Sequence, residues 1–190
     1  HVFEYEWINK RETVKRKIEQ ILGFVNDENN ILNECNIMEI NEEEAKEFNE
    51  RYNLQGHITS SLYIGMYRNN ELKSMLSLQK ENNNKWRVVR FTNNVNNNLI
   101  VNSIINYFID KYKPNKIEAY EDRRWVANSN DSIYRRTGFE LVDIIPPDYG
   151  YTKGQNDYIN KEKLKDCHLS NDYYRIYDCG QYKYEWKNVN

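Results

Sequence analysis

An α/β fold, a mixed central sheet flanked by helices, is what the order of hydrophobic patterns in this 190-residue chain predicts. Three observations carry it. From Asn33 to Ile145 the patterns read strand, helix, strand, strand, strand, helix, strand, helix, strand, an order that returns helices onto one sheet. Two alternating runs, "SLYIGMYR" and "ELKSMLSLQ", flank Asn69-Asn70, a hairpin signature because asparagine tolerates positive φ. The 14% aromatic content sets the chain apart from disordered polymers, despite 29% charged residues and a mean hydropathy of −0.97.

In chain order, "HVFEYE" alternates and predicts a strand over His1 to Glu6. A helix follows, with Val14, Ile18, Ile21 and Val25 as its apolar stripe. Lys10, Arg11, Lys15, Arg16 and Lys17 fall on its polar side, with Glu12 placed to pair with Lys15 and Arg16. That side reads either as a solvated face or as a phosphate-contacting one. Asn26 to Asn30 is a turn-rich linker, and "ECNIMEI" is a strand. Asn41 with Glu44 three residues on has the form of a capping box, and Ala45, Phe48 and Tyr52 mark the buried stripe of its helix. A loop turning at Gly56 leads into the hairpin. "KWRVVRF" is a third strand and "NNVNNN" a polar loop. Ile100, Ile104, Ile105 and Phe108 form the inner face of a helix that ends before Pro114. "KIEAY" is a strand, "DSIYRRTG" a helix with Gly138 at its C-terminal cap, and "FELVDI" a strand that runs into Pro146-Pro147. Two C-terminal hairpins are expected, one turning near Gly154 and one at Asp178 to Gly180. The expected organisation is an N-terminal strand and basic helix over 1–30, an α/β domain over 31–147 and a hairpin extension over 148–190.

Composition narrows the chemistry. A net charge of −2 provides no global field for a polyanion, so nucleic-acid binding must rest on local patches. Cys35, Cys167 and Cys179 show no CxxC spacing and read as reduced thiols. His1, His57 and His168 form no zinc-binding pair, so no metal is expected. With no long apolar run and no signal peptide, the expected location is the cytoplasm, and no membrane partner is expected. Heavy use of Asn, Lys, Tyr and Ile points to an AT-rich genome, such as that of a phage or a low-GC bacterium. The first residue is not Met, as in a fragment or a processed product.

The element order, "NNELKSMLSL" and "IYRRTGFE" resemble the GNAT acyltransferase fold, the last being similar to that superfamily's "LYEKxGFE" segment. A longer series, "HVFEYEWINKRE", "AKEFNERYNLQG", "ELKSMLSL", "VVRFTN", "YEDRRW", "YRRTGF", "PPDYGY" and "YYRIYDCG", resembles the GNAT-like C-terminal region of phage Vsr-like homing endonucleases, which is related to Mom-type DNA-modification proteins. The departures are specific. Tyr5 stands where that family's "IFEDEW" strand has an acid, Asn53 where related sequences have His, and the nuclease core is absent from this chain.

The resemblance implies a fold, a cofactor and two competing functions. As an accessory domain associated with nucleic acid and an upstream nuclease domain, the chain would contact phosphates through Arg123, Arg124, Arg135 and Arg136, with Trp125 stacking on a base or on an arginine plane. Arg87 and the basic face of the first helix, with Lys15 and Arg16, would extend that patch. As an acyl-CoA-dependent N-acyltransferase on a nucleobase or another amine, it would use acetyl-CoA. Val88, Val89, Arg90 and Phe91 would pair with the pantetheine arm, and Asn93, Asn94 and Asn96 would hold the pyrophosphate. Tyr134 would protonate the leaving thiolate, and Asp122, Glu121 and His57 are base candidates by residue type. The phosphate loop, Asn93 to Ser103, contains no glycine, so close backbone approach to a phosphate is harder than in the family. A third class is an interaction protein without either activity.

Overall fold

Alternation along the Asn69-Asn70 hairpin decides how the layers stack in the computed structural model, which describes residues 1–22, 24, 35–95, 99–126, 128–161 and 170–188. Strand β1 is Cys35–Glu39, β2 Leu62–Arg68, β3 Glu71–Lys80 and β4 Lys85–Asn93. Successive side chains on a strand point to opposite faces. Ile64, Met66, Leu76 and Leu78 therefore face one side, where helix α4 (Leu99–Tyr112) buries Ile100, Ile104, Ile105 and Phe108 against them. Tyr63 and Met75 face the other side and meet Ala45 and Phe48 of helix α3 (Glu42–Tyr52). Asn41 caps α3 as expected, accepting from the Glu44 amide at 2.9 Å. The hairpin turn has φ of 52° at Asn69 and 60° at Asn70, the left-handed pair that a two-residue turn requires.

The main sheet has seven strands in the order β1-β2-β3-β4-β5-β10-β6, where β5 is Lys116–Asp122, β6 Glu140–Ile145 and β10 Gln181–Lys187. Every neighbouring pair is antiparallel except β4 and β5, which are parallel and joined through α4. Their pairing stops after three rungs, the last being Arg87 with Glu118. Beyond it the strands diverge.

Four expectations change. His1 to Glu6 is not a strand: helix α1 spans Glu4–Asn9, and the Glu6 carboxylate accepts from the Phe3 amide at its start. Helix α2, Arg11–Ile21, buries only part of its apolar stripe. Thr13 and Val14 are buried, whereas Ile21 is 54% exposed; Val25 lies outside the described residues. In place of a helix over "DSIYRRTG" there is one short 3₁₀ turn, Arg135–Thr137, with Gly138 left-handed after it, and a second turn, Ser129–Asp131, ends where the segment begins. The last expected hairpin does not pair with itself. Strand β9 (Tyr174–Tyr177) joins β7 (Tyr149–Gly154) and β8 (Asp157–Asn160) in a small sheet, and β10 crosses back to lie between β5 and β6. The boundary drawn at residue 148 is therefore bridged, and Tyr184 of β10 is fully buried in the main core. Among the described residues Cys35 and Cys179 form no disulfide; Cys167 and His168 lie outside the described residues. Among the described residues no helix is long and apolar enough to cross a membrane.

Gly180 makes the turn into β10. Its φ is +75°, and an added Cβ would stand 2.2 Å from the Ile145 carbonyl oxygen. Gly180→Ala therefore combines a left-handed strain with a backbone clash. A loss of at least about 2 kcal/mol is expected in chemical denaturation.

Candidate functional site

The divergence of β4 from β5 opens a cavity of about 740 Å³. One wall is β4 from Arg87 to Asn93, and the opposite wall is the end of β5, Tyr120 to Asp122, with the turns that follow it. Within β4, Ser77 of β3 pairs with Arg90 and Leu78 pairs with Val88, so Val89 is an extra residue, a bulge that re-aims the strand. Helix α2 crosses the cavity and contributes Thr13, Arg16, Lys17 and Gln20 to its lining. It is tied down on both sides. Thr13 Oγ1 donates to the Arg51 carbonyl at 3.4 Å, Lys10 Nζ donates to the Glu50 carbonyl, and Gln20 Nε2 donates to the Val95 carbonyl at 3.5 Å.

Two carboxylates of β5 take different roles because successive residues face opposite sides. Glu118 is buried beneath Lys85 and Lys116, at 3.0 and 3.2 Å. Burial pushes its pKa up, but the lysines prevail and hold it at about 2. Glu121 shares the parity of Ile117 and Ala119, which are core residues, so it turns inward at the strand end, into the cavity. Ser132, Tyr184 and the Ile133 amide are hydrogen-bonding neighbours of its carboxylate, yet Oε2 is buried with no hydrogen-bond partner. Burial raises the Glu121 pKa, and Ser132 and Lys17 only partly offset it. Lys17 shifts the other way: burial lowers its pKa against the pull of Asp122 and Glu121. Both groups move toward their neutral forms.

Tyr134 lines the same cavity and is 4% exposed, its ring packed on Phe139 and Tyr184. Burial, with the nearby Glu121 charge, raises its pKa, so the phenol keeps its proton across the neutral range. Val88 is buried in the core, Val89 forms the bulge, and Phe91 is half-buried against the core. Arg90 donates to the carbonyls of Val89 at 2.8 Å and Gly56 at 3.3 Å. Asn93 lines the cavity. The Asn94 amide donates to Lys73 at 3.0 Å, and its Oδ1 is buried without a hydrogen-bond partner. Asn96 lies outside the described residues.

The expected base, Asp122, is already committed. It accepts from the Arg124 amide at 2.9 Å and Arg124 Nε at 2.8 Å. Arg124 corrects the expectation of a phosphate contact: its side chain is 5% exposed, paired to Asp122 at 2.6 Å and to both Glu6 oxygens at 2.9 and 3.0 Å. Trp125 is a cavity wall, with the Lys17 ammonium 5.4 Å and the Arg124 guanidinium 5.6 Å from its ring. Arg123 lies over the Tyr182 ring at 5.3 Å. Lys15 pairs with Glu12 at 2.8 Å on the outer face of α2. Arg16 turns inward over Tyr52, and its Nη1 is buried with no hydrogen-bond partner. His57 is away from the cavity, 3.4 Å from Glu42. By residue type alone Glu121 is one of three base candidates and Lys17 one of five polar-face cations. The parity of β5 singles out the first; nothing short of the docked helix singles out the second. Among the described residues no group of three or more His, Cys, Asp or Glu is placed to hold a metal.

No protein-family model matches the sequence, and neither does any curated protein. Solved structures do match in fold. Ard1 from Thermoplasma volcanium superposes with a TM-score of 0.52 over 83% of this chain and 99% of that one, at 10% identity. An IAA acetyltransferase from Bacillus cereus ATCC 14579 gives 0.51 over 81% and 99%, at 11% identity. The ribosomal-protein-S18-alanine N-acetyltransferase from Escherichia coli gives 0.51 over 80% and 93%, at 8% identity. With helices on both faces of a seven-strand mixed sheet that opens between β4 and β5, the chain has the GNAT acetyltransferase fold.

Proposed function

We propose that the protein is an acyl-CoA-dependent N-acyltransferase acting on a primary amine. The observation that carries this reading is the divergence of β4 from β5 after Arg87 and Glu118, which sets Glu121 and Tyr134 in one cavity with the bulged backbone of β4. A shared fold alone does not assign an activity; the side chains in the cavity do.

The residues present fit acyl-CoA in two respects. The β4 backbone beyond Arg87 is unpaired on its β5 side, which suits an extended arm carrying amide groups. Arg16 Nη1, a buried donor without an acceptor, suits a phosphate oxygen. When bound, the thioester supplies an activated acyl group. Glu121, a cavity-lining carboxylate whose Oε2 has no hydrogen-bond partner, would accept the proton shed by an amine nitrogen as it is acylated. Tyr134 Oη, kept protonated by burial, holds a proton for a leaving thiolate. Val88, Val89 and Arg90 line the strand edge along which an acyl group would lie. Since Glu121 acts as its carboxylate and its pKa is raised, activity is expected to rise with pH through a value above the ordinary glutamate range.

The nucleic-acid role implied by the endonuclease resemblance draws on fewer residues than expected. Arg124 and Lys15 are ion-paired, and Arg16 and Trp125 face the cavity. The expected result with acetyl-CoA at about 100 times its dissociation constant is a stabilisation of about 2.7 kcal/mol, a rise of roughly 5–10 °C in Tm. An unchanged Tm at millimolar acetyl-CoA would sink this reading.

A further inference from the structure

We propose that Lys17 is an internal acceptor of this same cleft, its Nζ taking an acyl group so that helix α2 is a self-modified strap across the site. The inference rests on the transferase reading. It starts from the seating of α2, which places Lys17 in the cavity lining with Thr13 and Gln20. Lys17 Nζ stands 5.4 Å from the Trp125 ring centre, and among the described residues no carboxylate lies within ion-pair distance of it. Its neighbours on the same helices differ: Lys10 pairs with Glu50 and Lys15 with Glu12. Across the cavity, Glu121 Oε2 is buried without a hydrogen-bond partner. One cavity therefore holds an amine without an ion pair, a carboxylate oxygen without a donor and the Tyr134 phenol.

An amine attacks only through its free lone pair. Burial lowers the Lys17 pKa and so favours that form, although Asp122 and Glu121 pull against it. In the step, the neutral Nζ forms a C–N bond to the acyl carbon and the C–S bond of the thioester breaks. The proton lost by nitrogen goes to Glu121, and the thiolate takes a proton from Tyr134, which regains one from Glu121 through solvent. No oxidant or further reactant is required. The product amide carries no charge, so the docked helix no longer holds an ammonium in the cleft.

The test uses the full chain and acetyl-CoA. The expected result is one acetyl group by intact mass, mapped to Lys17 in preference to exposed lysines such as Lys113. Lys17→Arg should lack it, and Glu121→Gln should form it at least about 100-fold more slowly. Acetylation spread over surface lysines and indifferent to Glu121→Gln is chemical and overturns the proposal. A protein whose Tm rises with acetyl-CoA but whose Lys17 stays unmodified overturns the self-acylation and leaves the transferase reading standing. No rise in Tm and no modification sinks both. A second measurement needs no thioester and no variant. After reductive ¹³C-methylation, the Lys17 resonance should titrate below those of the other lysines; titration together with them overturns the placement of its amine in the cleft.

Discussion

Replacing Glu121 with glutamine is expected to lower the acyl-transfer rate by about 10²- to 10⁴-fold, the range for loss of a positioned general base. The same substitution is expected to leave the protein at least as stable as the parent at pH 8. The two effects have one cause. The Glu121 carboxyl is buried at the end of β5 with Oε2 unpartnered, and its pKa is raised. A carboxyl with a raised folded-state pKa holds its proton more tightly folded than unfolded. Its contribution to stability is present below the unfolded value, about 4.3, and is lost as pH rises through the folded value. Glutamine has the same shape and carries no charge to lose. The difference in Tm between Glu121→Gln and parent should therefore be small at pH 4 and favour the variant at pH 8. Steady-state kinetics and thermal denaturation on the same two proteins decide it. A variant less stable than the parent at pH 8 would show that the charge of Glu121 is a structural partner of Lys17, and the assignment as base would fall.

That pairing of lost rate with retained stability separates Glu121 from Glu118, three residues earlier on the same strand. Glu118 is locked under lysines and its pKa is held at about 2, so its loss should destabilise. The distinction between the two was legible in the sequence, because strand parity puts Glu121 with Ile117 and Ala119 and Glu118 opposite. Much of the fold was legible for the same reason. The Asn69-Asn70 turn, the Asn41 cap and the inward face of α4 are each set by residues within a few positions of one another. What the sequence hid depends on distant partners. The alternation of "HVFEYE" suggests a strand, but Glu6 is drawn into pairing with Arg124, 118 residues away. The apolar stripe of α2 faces only partly inward, because the helix docks by Thr13, Gln20 and Lys10 on α3 and the β4–α4 loop. The self-contained look of "YYRIYDCGQYKYEW" fails since β10 finds two longer partners in β5 and β6. Arg124 illustrates the site equally well. Read beside Arg123 it suggests a basic cluster, and only the folded chain shows that Glu6 and Asp122 already neutralise it.

Arg124→Ala is expected to be the most destabilising single change in the molecule outside the hydrophobic core, at about 3–5 kcal/mol. The side chains of Arg124 and Glu6 are 5% and 4% exposed, and the guanidinium meets both Glu6 oxygens and Asp122. Burial acts to lower the Arg124 pKa, but Asp122 and Glu6 outweigh it, so the cation is firmly held. Removing it leaves two carboxylates facing each other in a poorly hydrated site. For a chain of this length the loss corresponds to a fall of roughly 6–20 °C in Tm. A double substitution, Glu6→Leu with Arg124→Met, replaces the pair by apolar groups of similar size and should recover part of the loss, since only Asp122, whose side chain is 20% exposed, then lacks its charged partner. Thermal denaturation of Glu6→Leu, Arg124→Met and the double variant closes the cycle. If Arg124→Ala lowers Tm by less than about 2 °C, the pair is not what anchors the N-terminal helices. The same variant bears on the site, because Glu6 is the link between α1 and the loop beyond β5, and α1 leads directly into α2. Loosening that link should let α2 lift from the cavity, so Lys17 in Arg124→Ala should titrate closer to the exposed lysines than it does in the parent.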